Sequence, residues 1–347
     1  MRIASVGTAL PQNFYGQGEL IDALAKLWSG RFHNPRRLEQ IQQNTLVGGR
    51  HLALPIEAYA SLTSFGAAND AFIRCGLELG ERAIREALSR AQLTPRDVDH
   101  VFALSVTGIA APSLDARLVN RLGLRSDVKR TPIFGLGCVG GAAGIARAAD
   151  YVRAFPRETA LVLSVELCSL TLQRGDASIA NVIASGLFGD GAAAAIVRGA
   201  ETSAAGPRVL ATHSVFYPNT EHVMGWEVGD GGFRVVLSAD VPEMAAGLRP
   251  DVDKFLAESG HALANVGVFV CHPGGPRVLE AVEGALSLPR SALAASWDHL
   301  ARVGNLSSAS ALFLLGDALA QPHATGTLGL LLAMGPGFCS ELVLLQW

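Results

Sequence analysis

Apolar and polar positions change rhythm along the 347-residue chain. The opening MRIASVGTALPQ reads as a strand entering a turn. Residues 12 to 70 carry no sustained period, and FHNPRRLEQIQQNTLVGGRHLALPIE reads as short helical pieces and loops. The pattern then steadies. ERAIREALSRAQL has helical spacing, TPRD is a turn, and DVDHVFALSVT reads as a strand running into the loop GIAAPS. The helix LDARLVNRLGL and the strand TPIFGL follow. From Gly140 to Tyr151, small residues such as Gly141, Gly144 and Ala148 recur at helical spacing, predicting a buried helix approached closely by its neighbours. TALVLSVELCSL reads as a strand buried on both faces, and LFGDGAAAAIVRG as a turn and a strand.

The second half repeats the alternation. VGVFVCHP reads as a strand, PRVLEAVEGALSL as a helix, and SSASALFLLGDALA as a helix opened by a serine-rich cap. GTLGLLLAMGPGFCSELVLLQW closes as two strands around a Gly-Pro-Gly turn. Alternation in both halves argues an α/β layered fold with internal duplication. The polar stretch RGAETSAAGPR, 198 to 208, divides it into halves 1–200 and 201–347.

Composition narrows the classes. Apolar residues make up 49% of the chain, which argues a compact globule, and a net charge of −3 gives no footprint for nucleic acid. No run of about 18 apolar residues suggests a membrane span, and the first residues lack a signal-peptide pattern. The five cysteines, 75, 138, 168, 271 and 339, are odd in number and without CxxC spacing. They fit a reducing cytoplasm better than a disulfide framework or a zinc site.

In GLGCVGGAAG, Cys138 sits between glycines at a strand-to-helix junction. It reads either as a small buried thiol or as a nucleophile whose pKa the helix N-terminus lowers from about 8.5 into the range of about 3.5 to 7.5. His272 ends the strand of FVCHPGGP at a Pro-Gly-Gly turn, free to project into a cleft. Asn305, in VGNLSSAS, precedes a helix and is an N-cap candidate. The other eight histidines lie in polar or loop-like contexts and read as surface residues. As a set, Cys138, His272 and Asn305 suit acyl transfer: a thiolate attacks a thioester, an imidazole supports it, and neutral N–H donors hold an oxyanion. Asp190, before Gly191, reads as a turn former. HExxH, a Walker lysine motif and GxGxxG after the first strand are all missing, which leaves metal and nucleotide readings without support.

These motifs together resemble the type III polyketide synthases, chalcone-synthase-like members of the thiolase superfamily. The likeness spans nearly the whole chain through GLGCVGG, LFGDGAA, CHPGGP, GNLSSAS and the terminal GPG loop, with His272 and Asn305 33 residues apart. Ala333 departs from the glycine that many members carry in that last motif. The resemblance implies a homodimer of duplicated αβαβα-layered subunits, working on malonyl-CoA and acyl-CoA without carrier protein, metal or redox cofactor. It implies that Cys138 carries the starter acyl group, that His272 stabilises the thiolate, and that His272 and Asn305 bind the enolate formed by malonyl decarboxylation. Phe188 and Phe233 match gatekeepers between the coenzyme A tunnel and the cavity, and Arg50 resembles a basic region meeting the coenzyme A phosphates. Thr107, Ala111 and Cys168 match tunnel-lining sites of bacterial members taking long fatty acyl starters; Ser307, Gly335 and Pro336 are further substrate-lining candidates. The expected reaction extends a medium- or long-chain acyl-CoA to an alkylpyrone or alkylresorcinol. Alternatives are a tetrahydroxynaphthalene-type synthase using malonyl-CoA alone, a β-ketoacyl carrier-protein synthase III-like enzyme, and an inactive acyl-binding scaffold. A thiol protease would need a CGSCW-like context, which is missing.

Overall fold

A computed structural model describes residues 1–30 and 35–347; Arg31 to Asn34 of the irregular segment fall outside the described residues. One nine-stranded mixed sheet runs, edge to edge, Val266–Cys271, Leu328–Gly335, Cys339–Gln346, Arg208–Phe216, Arg2–Ala9, Asp190–Arg198, Thr159–Leu167, His100–Ser105 and Lys129–Phe134. Its two ends share a pattern. In the first half His100–Ser105 runs parallel to Thr159–Leu167, which is followed by two antiparallel pairings to Asp190–Arg198 and Arg2–Ala9. In the second, Val266–Cys271 runs parallel to Leu328–Gly335, again followed by two antiparallel pairings, to Cys339–Gln346 and Arg208–Phe216. The halves meet where Arg2 pairs with Arg208.

Two helices, Gly140–Ala154 and Ser308–Ala320, pack on each other and touch strands of both halves. They form the middle layer, and their alanines, Ile145, Leu312 and Leu315 build the central core with Val162, Leu331 and Val343. Small residues are required there: a Cβ on Gly141 would stand 2.3 Å from the backbone oxygen of Ser308, and one on Gly144 2.7 Å from Val162. Helix Phe65–Arg90 and helix Leu114–Leu122 cover the outer face of the first half, and helices between 241 and 303 cover the second. The αβαβα layering is therefore present.

The long helix Phe65–Arg90 begins inside the stretch expected to be irregular. Ser64 caps it by accepting the Ala67 N–H at 3.1 Å, and its buried stripe runs Ala71, Phe72, Leu79, Ala83, Ile84, Ala87. Gly76 and Gly80 interrupt the apolar period, yet tertiary packing against Val165 makes them helix residues. A separate hairpin, Met224–Gly229 with Gly232–Leu237, lies outside the main sheet. Among the described residues no helix is long and apolar enough to cross a membrane.

Candidate active site

The strand Lys129–Phe134 ends at Gly135, with φ +96°, and Gly137, with φ +52°, so the chain turns sharply before the helix that opens at Gly140. Only glycine adopts both conformations cheaply. Cys138 stands in that turn. From the other half, the GPG loop closes on it: a Cβ on Gly137 would lie 2.6 Å from Pro336, and one on Gly335 2.6 Å from the Leu136 carbonyl.

His272 follows its strand directly. Its N–H donates to Leu332 O at 2.9 Å, and its ring is 2% exposed with both nitrogens unpartnered. Asn305 is fully buried and bridges to Phe188: its N–H donates to Leu187 O at 2.9 Å, and its carbonyl accepts the Gly189 N–H at 2.9 Å. The LFGDG motif thus backs the asparagine. The Asn305 side chain is not the expected helix cap. The helix opens at Ser308 behind Ser307, and Oδ1 instead accepts the Ser307 N–H at 2.8 Å, leaving Nδ2 to donate weakly to Gly274 O at 3.5 Å. Nor does the Ser307 side chain cap that helix; its hydroxyl accepts from the Cys138 thiol at 3.8 Å.

Cys138, His272 and Asn305 converge on one cavity of about 1440 Å³, which Thr107, Cys168, Phe188, Phe233, Ser307 and Pro336 also line. Phe233 is buried edge-to-face on Phe65, ring centroids 5.3 Å apart, with Trp226 at 6.0 Å and Phe134 at 6.1 Å. Leu20, Leu24, Leu27 and Ile183 add apolar lining to the cavity.

Desolvation works against the expected resting thiolate. Burial pushes the Cys138 thiol up to about 12, outweighing the hydrogen bonds of Ser307 and Asn305 and any help from the helix end. Burial alone pushes His272 down to about 3. Both shifts favour the uncharged forms.

Four other expectations change. Arg50 is in a strand, not a solvated loop; it lines the cavity, is 3% exposed, and donates Nη1 to Ser185 O and, at 2.9 Å, to Phe188 O, so it supports the Phe188 turn. Ala111 is exposed beside the sheet edge and does not line this chain's cavity; Gly335 is spent on packing against the cysteine turn. Asp190 bonds remote segments, Ala53 N at 2.6 Å and Ser169 N at 2.8 Å, rather than its own turn.

The sequence reading also missed residues. Glu166 lies in the fully buried strand and accepts from Thr107 Oγ1 at 2.8 Å, Val106 N at 3.1 Å and Ser308 Oγ; burial pushes its carboxyl up to about 7. One charge in an otherwise apolar strand was the available signal. His299, taken for a surface residue, is 1% exposed. It bonds Ser310 Oγ at 3.0 Å, and that hydroxyl accepts the Leu306 N–H at 2.8 Å, next to Asn305.

A half-buried cysteine at a glycine turn, an unpartnered histidine and an asparagine amide in one cavity, on a layered and internally repeated α/β frame, define a thiol-dependent condensing enzyme. The chalcone and stilbene synthase N-terminal domain matches residues 1–202 and its C-terminal domain residues 208–347. A 1,3,6,8-tetrahydroxynaphthalene synthase of Streptomyces peucetius subsp. caesius is 51% identical over 99% of this chain and 93% of its own length. A phloroglucinol synthase of Pseudomonas fluorescens is 33% identical over 97% and 96%. The crystal structure of 1,3,6,8-tetrahydroxynaphthalene synthase from Streptomyces coelicolor A3(2) superposes with a TM-score of 0.95 at 30% identity, covering 100% of this chain and 99% of that one. The chain belongs to the chalcone and stilbene synthase family and is a type III polyketide synthase, an acyltransferase of the condensing kind.

Proposed function

We propose that the enzyme builds its polyketide from malonyl-CoA alone and closes it to a polyhydroxylated aromatic of the tetrahydroxynaphthalene type. The 51% identity across 99% of the chain to a synthase of that name carries this reading. As a thioester enters, the Cys138 proton passes to His272, whose free nitrogens make it the acceptor, and sulfur attacks the carbonyl as coenzyme A leaves. A second malonyl group then loses carbon dioxide. The electron pair moves to an enolate whose oxygen is held by N–H donors of His272 and Asn305, and the enolate carbon displaces the acyl group from Cys138. At the cavity mouth, exposed Lys26, Arg174 and Arg277 supply the cations for coenzyme A phosphates that Arg50 does not. No metal, redox cofactor or carrier protein enters this scheme.

The apolar lining favours a second reading, in which a medium- or long-chain acyl-CoA starter lies along Leu20, Leu24 and Leu27 and gives an alkylpyrone or alkylresorcinol. Mass spectrometry of products from malonyl-CoA alone and from malonyl-CoA with acyl-CoAs of increasing length decides between them. An aromatic product from malonyl-CoA alone supports the first; products only with long acyl-CoAs overturn it. The active form on either reading is a homodimer. The free edge of Lys129–Phe134, where Phe134 is 53% exposed, is the surface a second copy would cover, and light scattering reads the mass.

A further inference from the structure

Away from the three catalytic side chains, Tyr59 and Ser169 bring a second polar group to the cavity wall. Tyr59 stands in the turn Ile56–Ser61 and Ser169 in the turn Cys168–Thr171; both residues line the cavity, next to Cys168. Their hydroxyls are hydrogen-bonded, and Ser169 Oγ in turn donates to Asp190 Oδ2.

Counting protons gives this relay a direction. Asp190 is an acceptor that already receives N–H bonds from Ala53 at 2.6 Å and Ser169 at 2.8 Å, an arrangement that suits a carboxylate. The buried Arg50 cation adds an attraction that opposes the effect of burial on Asp190. A hydroxyl has one hydrogen, and that of Ser169 goes to Asp190, so Ser169 Oγ accepts from Tyr59. The Tyr59 hydrogen is thereby consumed. Besides Ser169, its oxygen has a long contact from Leu54 N–H, 3.5 Å, and it keeps acceptor capacity on a residue that lines the cavity.

We propose that Tyr59 Oη is a substrate subsite that accepts a hydrogen bond from an O–H of the extended chain, either the enol of a β-dicarbonyl unit or the phenol formed on ring closure. The Ser169–Asp190 relay holds the tyrosine in its accepting orientation, so that the site discriminates in favour of hydroxyl over carbonyl or ether oxygen. A poly-β-carbonyl chain enolises readily, so the subsite would hold one tautomer of a flexible intermediate. This inference rests on the condensing reading above.

The test compares two probes as inhibitors of malonyl-CoA-dependent coenzyme A release: resorcinol, which carries two O–H donors, and 1,3-dimethoxybenzene, which has none. In wild type resorcinol is expected to bind more tightly. In Tyr59→Phe the ratio of the two inhibition constants is expected to fall by about fivefold, the size of one lost hydrogen bond. In Ser169→Ala the phenol hydrogen is released for donation to ether oxygen, and the same ratio falls. Using the ratio cancels the different hydration of the probes. A ratio within twofold of wild type in both variants, each shown folded by its thermal melt, overturns the subsite. Absence of coenzyme A release by wild type overturns the condensing reading instead, and the subsite is then read from calorimetric binding of the same two probes.

Discussion

The ring of Pro336, in the last loop of the second half, lies against the backbone of Gly137, one residue before the cysteine of the first half. Gly137 has φ +52° and its missing Cβ is the space Pro336 fills. Gly137→Ala should therefore both strain the turn and collide with the loop, costing about 1–3 kcal/mol. Chemical denaturation measures the loss, and coenzyme A release should fall with it.

Gly141 and Gly18 make a matched pair of helix glycines. A Cβ on Gly141 meets the Ser308 carbonyl at 2.3 Å, whereas one on Gly18, in helix Gln17–Leu27, meets nothing within 4 Å. Gly141→Ala should lower stability by about 2 kcal/mol or more, and Gly18→Ala should raise it by up to about 1 kcal/mol. Opposite shifts in melting temperature are the expected result.

Arg50 and Arg277 should fail differently. Arg277→Ala removes an exposed cation at the mouth and should raise KM for malonyl-CoA several-fold with kcat nearly unchanged. Arg50→Ala removes the support of Ser185 O and Phe188 O and should appear as lost stability, about 1–3 kcal/mol, with both kinetic constants altered. A KM effect confined to Arg50→Ala would reverse the assignment.

Buried titratable groups set the pH dependence of stability. Glu166 has its folded pKa raised from 4.5 to about 7, so its favourable contribution is complete below pH 4.5 and lost as pH rises to about 7. Glu166→Gln should flatten stability across that window, a slope amounting to about 1–3 kcal/mol in wild type. His272 and His299, each lowered from 6.5 to about 3, act in the opposite sense: their contribution is present above pH 6.5 and is lost as pH falls toward 3. His299→Asn should shallow that acid limb in urea melts at several pH values.

Cys138→Ala should abolish coenzyme A release while leaving the melting temperature within a few degrees, because the thiol's polar contacts are weak, the one to Ser307 being 3.8 Å long. Retained turnover would remove Cys138 from the chemistry.

Much of this site was legible because its residues sit at breaks in the hydrophobic pattern. Glycines flank Cys138, a Pro-Gly-Gly turn follows His272, and serines follow Asn305, so each stood out against an apolar run. What was not legible depends on partners distant in sequence. Arg50 reads as a loop cation because nothing near it announces Ser185 and Phe188, and Asp190 reads as a turn former because Ala53 and Ser169 are remote. His299 has charged neighbours in sequence, Asp298 and Arg302, yet the far face of its helix packs inward on Ser310. The helix start at Phe65 was hidden by glycines whose spacing serves packing against another layer. Burial likewise decided the state of the Cys138 thiol, and a local motif carries little information about burial depth.

The contact between Gly141 and Ser308 has a consequence for exchange between relatives. One helix continues from the cysteine turn and the other from the asparagine loop, and they touch where only the backbone fits. Neither half owns a complete reaction centre, and the surface joining them has no slack to absorb a larger side chain. Chimaeras cut between residues 198 and 208 should work only when the parent supplying the first half keeps glycine at 141, so the duplicated halves are bound to vary as one inherited unit.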